Sequence, residues 1–380
     1  MTAWPGAALY SPVSGLPLLA DTPHSLAAGP ERWPVIEAIP FLRADRRPLA
    51  DEALQALDAG RPHDALVTLL SDQDNWARTP APDIAARHRL VREAETTSFR
   101  AAMDLLAFGP VGAYFAHRWS DPTFLSGLAL MEAHRHPGSI FELACGAGHF
   151  LREFGRNQAD VAGGDIVFAK LWLARRYVAP AARLICFDAA APWPFEKRAF
   201  HTVFCHDAFY FLPEKPHVAA EMRRVGSGRV LVGHAHNALV DNLSSGSPLP
   251  PAAYAALFEA PLLYDDRELT AALVEARAPV PASAESLSGA AAVSIAAGAG
   301  HPRPITGGLA LPPPGASLRR NPLYAGQHIR WPSARYETEY ASLATYPPEF
   351  SGPETAVAGA GPEIDALARR RILLDLPASW

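Results

Sequence analysis

The chain has 380 residues, of which 49% are hydrophobic and 19% are charged, a balance typical of a folded globular protein. Its formal net charge is −5, which weighs against an enzyme that gains affinity by neutralising nucleic-acid phosphates. Three cysteines without C-x-x-C spacing exclude a disulfide framework, and no apolar run reaches the roughly 18–20 residues of a membrane span. Because the first lysine or arginine is Arg32, no secretory signal is recognisable, and we expect a cytoplasmic protein.

The first third of the chain divides into two segments. Residues 1–45 contain short β-like pieces broken by turns and are interpreted as a small N-terminal module. Residues 46–109 are interpreted as a helical extension, with leucines at helical spacings over 49–71 and a second helix over 83–108.

Between residues 138 and 237, short apolar runs alternate with helical segments, and this region is the core of a third segment, 110–277. The alternation predicts an α/β fold: a doubly wound, mostly parallel sheet with helices on both faces. Four acids, Glu142, Asp165, Asp188 and Asp207, each stand at or near the end of an apolar run. Since the carboxyl ends of parallel strands line the ligand crevice, we expect these acids to surround one site.

The last segment, 278–380, is rich in proline and glycine. Between Arg277 and Arg319 only Glu285 and Arg303 are charged, which predicts a flexible insertion or, alternatively, a mobile substrate lid. The aromatic and polar residues that follow are expected to pack over a site.

A glycine-rich loop follows the first predicted strand of the sheet. Gly146 and Gly148 permit a tight turn and close approach of a ligand, but position 151, where a dinucleotide fingerprint has a third glycine, is Leu151. This favours a nucleoside cofactor without a pyrophosphate over NAD or FAD. Asp165, at the end of the next strand, can accept hydrogen bonds from both ribose hydroxyls.

These residues resemble the class I S-adenosylmethionine-dependent methyltransferases over roughly residues 110–240. Glu142–Gly148 resembles their first glycine-rich motif, Asp165 their second-strand acid, and Phe187–Ala189 the segment that contacts adenine. The resemblance implies a Rossmann-like methyltransferase fold that binds S-adenosyl-L-methionine. Ala144 replaces the first glycine of the motif, and an alanine is tolerated there if its φ is negative.

The resemblance also implies a set of cofactor-binding residues. These are Glu142, Ala144, Cys145, Gly146, Gly148, Asp165, Ile166, Phe187, Asp188, Ala189, His206, Tyr114 and Arg118. Tyr114 or Arg118 is a candidate for binding the methionyl carboxylate; the alternative is that both belong to an aromatic helix packed on the sheet.

The N-terminal module has a fainter resemblance to the zinc-ribbon modules that accompany some methyltransferases. Ser11 and Ser14 stand where such a module has two cysteines, so the zinc tetrahedron cannot form. The resemblance implies a scaffold without metal.

Candidate catalytic residues follow the fourth and fifth strands: His206, Asp207, His234 and His236. Methyl transfer to a hydroxyl requires a proton acceptor, and an imidazole is suited to this near neutral pH. His206 is the first candidate and His234 the second, because fourth-strand ends lie closest to the sulfonium in this fold family. The alternatives are that the histidines bond to backbone at strand ends, or that the four residues bind a divalent metal.

The sequence thus predicts methyl transfer to a small-molecule acceptor, at oxygen rather than elsewhere. Two other functions stay open: a non-catalytic protein of the same fold that binds a partner, and an rRNA or tRNA methyltransferase. The second is disfavoured by the net charge and by the absence of an N-P-P-Y motif after the fourth strand, where His206–Phe209 stands instead.

Overall fold

The computed structural model describes residues 8–73, 80–156, 160–243, 246–298 and 300–380. The first seven residues of the predicted N-terminal module therefore lie outside the described residues. Among the described residues, none of the helices combines the length and the apolar character needed to span a membrane.

The N-terminal module is an antiparallel sheet of four short strands in sequential order, which agrees with its β-like sequence. Its strands are β1 (Leu19–Thr22), β2 (Ser25–Ala28), β3 (Glu31–Ile36) and β4 (Ile39–Pro40). In the turn before β1, the Ser11 hydroxyl accepts hydrogen bonds from the backbone N–H groups of Val13 and Ser14 and donates one to Glu31. Hydrogen bonds of the Ser11 side chain thus hold this turn together.

Four helices follow in the predicted helical extension: α1 (Arg47–Asp58), α2 (Pro62–Leu69), α3 (Ile84–Glu93) and α4 (Phe99–Leu105). The predicted helix over 83–108 is interrupted after Glu93, and Ser98 caps the next helix by accepting a hydrogen bond from the Ala101 N–H. A serine that bonds to backbone in this way favours a helix start over a helix interior, which explains the break.

The central sheet has seven strands in the order β10-β11-β9-β8-β5-β6-β7. The elements of this region are α5 (Pro110–Ala116), α6 (Pro122–His134), β5 (Ile140–Leu143), α7 (His149–Gly155), β6 (Val161–Asp165), α8 (Phe168–Leu173), β7 (Arg183–Cys186), β8 (Phe200–His206), α9 (Lys215–Val225), β9 (Gly226–His236), α10 (Pro251–Ala255), β10 (Leu262–Asp265), α11 (Asp266–Val274) and β11 (Ala292–Ala297). Strands β5 to β9 pair in parallel, and β11 is antiparallel to both of its neighbours. The predicted α/β fold with a mostly parallel sheet is therefore confirmed.

The two faces of the sheet carry separate hydrophobic cores because successive strand residues point to opposite sides. On β5, Ile140 belongs to one core and Phe141 and Leu143 to the other. Glu142 accordingly lies on the side of Ile140, where helix α6 packs. Helix α6 is buried over nearly its whole surface, and Asp121 caps its start by accepting a hydrogen bond from the Thr123 N–H at 2.7 Å.

Strand β11 corrects one interpretation of the sequence. Residues within the stretch predicted as a flexible insertion or lid form a fully buried strand between β9 and β10. Residues 292–297 carry no charge because both faces of this strand are covered, not because they are mobile. The sheet therefore extends past residue 277, where the sequence placed the end of the third segment.

The C-terminal residues form an ordered layer. Its elements are β12 (Ser317–Arg320), β13 (Tyr324–Ala325), β14 (His328–Ile329), α12 (Ala334–Tyr340), β15 (Thr355–Val357), α13 (Pro362–Arg369) and β16 (Leu373–Leu374). Strands β15, β12 and β16 form one small sheet, and β13 and β14 form a hairpin.

Candidate functional site

The loop between β5 and α7 turns through three residues with a left-handed backbone. Gly146 and Gly148 have φ values of 54° and 82°, which glycine adopts without steric cost. Ala144 also has a positive φ, 54°, so the condition of a negative φ at this position is not met. The chain therefore keeps the backbone turn of the glycine-rich motif but holds a strained alanine at its start.

Asp165 joins this loop to the end of β6. Its Oδ2 atom accepts a hydrogen bond from the Gly146 N–H at 2.9 Å, and its Oδ1 atom accepts one from the Val167 N–H at 2.9 Å. A carboxylate has about four acceptor positions, so these two bonds leave capacity for two ribose hydroxyls. Asp165 thus shapes the loop as well as offering acceptors to a ligand.

The neighbouring residues of the predicted cofactor set occupy the same edge of the sheet. Phe187 is buried against Gly164 and donates its N–H to the Asp165 carbonyl, while the carboxylate of Asp188 is bonded to the Ala190 N–H. Cys145 and Ala189 are buried, and Ile166 is partly exposed.

Arg43, from the N-terminal module, supports this edge from behind. Its side chain is fully buried and donates from Nη1 to the Ile166 carbonyl at 2.5 Å. The same nitrogen lies 3.4 Å from Asp72 Oδ2, which also accepts a hydrogen bond from the Phe168 N–H. The segment after β6 is therefore fixed by two residues that the sequence did not single out.

Glu142 lies on β5 beside the glycine-rich loop and is buried. Burial raises the pKa of its carboxyl well above the ordinary value, and the nearby Arg118 guanidinium only partly opposes this. Its Oε2 atom has no hydrogen-bond partner among the described residues. A buried oxygen without a hydrogen-bond partner can form a hydrogen bond with a polar atom of a ligand.

Asp207, His234 and His236 lie together at the carboxyl ends of β8 and β9, and we call these three residues the polar cluster. His234 Nε2 is 3.3 Å from His236 Nε2 and 4.0 Å from Asp207 Oδ1. The ligand-type atoms of the three side chains all lie within 4.8 Å of one another, a spacing that a metal ion could bridge. The structure thus brings together three of the four predicted catalytic residues.

An irregularity in β9 produces this arrangement. The pairing of β9 with β11 shifts register between Val293 and Ile295, and His234 at the shift has φ 51°. The Ser294 hydroxyl accepts a hydrogen bond from the His234 N–H at 3.1 Å. Bulges of this kind redirect side chains next to functional sites.

Asp266, which the sequence analysis missed, holds His234 from the other side. His234 Nδ1 lies 2.6 Å from Asp266 Oδ2, and Asp266 also accepts hydrogen bonds from the hydroxyls of Ser126 and Ser294. Asp266 stands after strand β10 in an Asp-Asp pair, but nothing in its spacing along the chain ties it to His234.

The charges around His234 favour its protonated form. Burial opposes that form, but Asp207 and Asp266 outweigh burial and raise the pKa of His234 to about 9. Burial by itself would raise the pKa of Asp207. The charges of His234 and Arg118 outweigh burial and hold the pKa of Asp207 well below its usual range. The free protein therefore holds a compact group of opposite charges at the end of β9.

His206 lies behind the polar cluster. Its ring packs between Phe150 and Phe204, and neither ring nitrogen has a hydrogen-bond partner among the described residues. Burial, with Arg118 nearby, lowers the pKa of His206 to about 3, so the imidazole is neutral. Its ring centre is 5.9 Å from that of His234.

Tyr114 and Arg118 connect the polar cluster to the covering helices. The Tyr114 hydroxyl donates to Asp207 Oδ2 at 2.6 Å, and Arg118 Nη2 lies 3.5 Å from the same oxygen. Arg118 is buried and also donates from Nη1 to Asp121 and to the Thr123 hydroxyl. Both side chains thus contact Asp207 of the polar cluster.

The C-terminal layer covers this end of the sheet. Tyr114 packs against a cluster that includes Tyr336 and Tyr340. The hydroxyls of Tyr336 and Tyr346 donate to the backbone carbonyls of His117 and Ser120.

A parallel sheet with a glycine-rich loop after one strand and an acid at the end of the next defines an α/β domain that binds a nucleoside cofactor. Residues 140–227 match the family model described as a methyltransferase domain. The chain therefore contains a methyltransferase domain, and the cofactor of this domain is S-adenosylmethionine.

Several solved structures are similar to parts of the chain. Phosphoethanolamine N-methyltransferase 2 of Haemonchus contortus, in complex with phosphomonomethylethanolamine and S-adenosylhomocysteine, is 16% identical over 48% of this chain and 49% of that one, with a TM-score of 0.35. A protein from Pyrococcus horikoshii OT3 is 30% identical over 27% of this chain and 51% of that one, with a TM-score of 0.25. The YcgJ protein of Bacillus subtilis is 16% identical over 46% of this chain and 94% of that one, with a TM-score of 0.32. The chain thus spans about half the length of the first two. No curated protein sequence matches the chain.

Proposed function

We propose that the protein transfers the methyl group of S-adenosylmethionine to an oxygen atom of a small-molecule acceptor. The observation that carries the proposal is the polar cluster at the carboxyl ends of β8 and β9, beside the strand that leads into the glycine-rich loop. Its imidazole and carboxylate groups suit an acceptor whose hydroxyl must lose a proton.

The cofactor residues form a matched set. Gly146 and Gly148 adopt the left-handed turns of the loop, Asp165 keeps free acceptor capacity for the ribose, and Glu142 offers an unpaired oxygen to a polar group. When bound, S-adenosylmethionine supplies an electrophilic methyl group on a sulfonium. The residues of this chain then have to orient that group and position the acceptor oxygen in line with it.

Two features favour a small acceptor. Aromatic side chains of the C-terminal layer pack against Tyr114 over the polar cluster, so a polymer would have to displace this layer. The net charge of −5 gives no general attraction for a polyanion. Both features weigh against an rRNA or tRNA acceptor.

Within the proposed catalytic set, we place His234, His236 and Asp207 nearest the acceptor and His206 behind them. His234 and His236 are partly exposed, whereas His206 is enclosed by two phenylalanine rings. Arg118 keeps its place in the proposed cofactor set, but its bonds to Asp121 and Thr123 favour a role in fixing α6.

The acceptor class is tested with S-adenosylmethionine that carries carbon-13 in its methyl group. The full chain is incubated separately with the small-molecule and RNA fractions of a cell extract, and the chemical shift of each labelled product is measured. A methyl ether in the small-molecule fraction supports the proposal. Labelled RNA, or a label on nitrogen or carbon only, contradicts it, and cofactor binding with no labelled product in any fraction favours the non-catalytic alternative.

Replacing Asp165 with alanine tests the cofactor site. Asp165→Ala removes two backbone hydrogen bonds and the acceptors for the ribose, so we expect S-adenosylmethionine binding to weaken by roughly 1.5–3 kcal/mol in calorimetry. Asp160→Ala is the control, since Asp160 is half exposed and pairs with Arg183 away from the loop. Unchanged affinity in a folded Asp165→Ala protein would exclude this residue from the cofactor site.

A further inference from the structure

We infer that the polar cluster, Asp207, His234 and His236, is a binding site for a divalent transition-metal ion. Two imidazole nitrogens and one carboxylate oxygen form a ligand set that suits Mn²⁺, Fe²⁺, Co²⁺ or Zn²⁺ better than Mg²⁺ or Ca²⁺, which prefer oxygen ligands alone. Such a set also leaves coordination positions open for other ligands.

The spacing of the two imidazoles fits a shared ion. Two nitrogens that each lie about 2.1 Å from a metal, at an angle of roughly 90–110°, are about 3.0–3.4 Å apart. The two Nε2 atoms of His234 and His236 are 3.3 Å apart. Asp207 Oδ1, at 4.0 Å from His234 Nε2, would complete the site by moving about 1 Å.

The groups behind two of the three residues, His234 and Asp207, hold them as in metal sites. A metal-binding histidine usually donates its second ring N–H to a carboxylate, and His234 Nδ1 lies 2.6 Å from Asp266 Oδ2. Metal-binding carboxylates are themselves hydrogen-bonded, and Asp207 Oδ2 accepts a hydrogen bond from Tyr114. The other oxygen, Oδ1, accepts a hydrogen bond from the Tyr210 hydroxyl at 3.1 Å and lies 4.0 Å from His234 Nε2.

The net charge of the groups around the polar cluster is negative, which favours the binding of a cation. Asp121, Asp207 and Asp266 supply three negative charges, and Arg118 supplies one positive charge. With neutral imidazoles, two negative charges remain, which a divalent ion neutralises.

The ion gives the proposed methyl transfer a defined proton step; this part of the inference rests on the proposed function, whereas the metal binding does not. Held by Asp207, His234 and His236, the ion would lower the pKa of an acceptor hydroxyl at an open position, and the proton would pass to solvent water. The acceptor oxygen then forms a bond to the methyl carbon. The carbon–sulfur bond breaks, its electron pair stays on sulfur, and the products are a methyl ether and a neutral thioether.

The test is a titration of the chelator-treated full chain with Co²⁺, in the absence of cofactor and acceptor, followed by visible absorption and calorimetry. We expect one equivalent to bind with the absorption bands of nitrogen and oxygen ligands. Asp207→Asn and His236→Gln should each weaken binding about tenfold or more, and Asp266→Asn by about 10–100-fold through loss of support for His234. Asparagine suits position 207 because it tolerates the positive φ found there.

His201→Gln is the matched control. His201 stacks on His136 with ring centres 5.6 Å apart, so this pair is the obvious source of adventitious binding, and it lies at the opposite end of β8. Binding that is kept in His201→Gln and weakened in the cluster variants supports the inference. Absence of binding in the unaltered protein, equal binding in the cluster variants, or loss in His201→Gln overturns it, and circular dichroism of each variant excludes unfolding as the cause. Methyl transfer that proceeds undiminished after chelation overturns the metal's role in the reaction but leaves the proposed methyl transfer intact.

Discussion

Three residues of the site other than glycine have a left-handed backbone: Ala144, Asp207 and His234, with φ values of 54°, 54° and 51°. Each costs free energy relative to an ordinary backbone conformation, and such residues tend to cluster at functional sites. All three lie at or near the carboxyl ends of β5, β8 and β9, so this edge of the sheet holds three of the eleven described non-glycine residues with a positive φ.

Ala144→Gly should stabilise the protein. Glycine adopts a positive φ without the Cβ clash that alanine suffers, so we expect the free energy of unfolding to rise by about 1 kcal/mol in urea denaturation. Ala147→Gly is the matched control in the same loop. Ala147 is buried and has no positive φ, so its replacement should lower stability instead. A destabilised Ala144→Gly would show that packing of the Cβ outweighs the strain.

At the scale of elements, helix α6 and strand β9 together enclose His206. Gly127 on α6 leaves room for the neighbouring rings, since a Cβ there would lie 2.5 Å from Phe150 Cζ and 2.8 Å from His206 Nδ1. The close contact between this helix and the sheet therefore depends on a residue without a side chain.

Gly127→Ala should accordingly destabilise the protein by about 1–3 kcal/mol, the usual cost of overpacking a core. Thermal denaturation measures the effect. Gly155→Ala, at the end of α7, is the control because a Cβ there meets no atom within 4 Å. It should leave stability unchanged or raise it. Equal melting temperatures for the two variants would mean that α6 can shift away from the sheet at little cost.

At the scale of the whole molecule, the N-terminal module extends the edge of the central sheet. Leu42 donates its N–H to the Cys186 carbonyl of β7 at 2.7 Å, and the Tyr10 N–H bonds to the Pro194 carbonyl. The buried Arg43 then reaches the segment that follows β6. The module is thus attached to the cofactor end of the domain by backbone and side-chain bonds.

Arg43→Met should weaken S-adenosylmethionine binding without removing any group that touches the cofactor. It leaves Asp72 buried without its main partner, and we expect a loss of about 3–5 kcal/mol in stability. The double variant Arg43→Met/Asp72→Leu should recover most of that stability but not the cofactor affinity, because Ile166 stays unsupported. Arg61→Ala, which breaks an exposed pair with Asp64, is the control. Full cofactor affinity in the double variant would refute the supporting role of Arg43.

The sequence by itself determined the parallel sheet, the glycine-rich loop and the acid after the second strand of that sheet. These follow from local rules: apolar runs that alternate with helices, glycines where the backbone must turn, and polar residues at strand ends. The cofactor class follows from the same residues, because they lie close together along the chain.

Only the tertiary structure decided which polar groups meet at the end of the sheet. Asp266 is 32 residues from His234 along the chain, and Arg43 is 123 residues from Ile166. The bulge that brings His234 to His236 depends on the pairing of β9 with β11. The sequence of β11 carries no charge, and from the sequence alone this segment is predicted to be a flexible insertion or a lid. Such contacts form only when segments that are distant in sequence pack together, so the spacing of residues along the chain does not predict them.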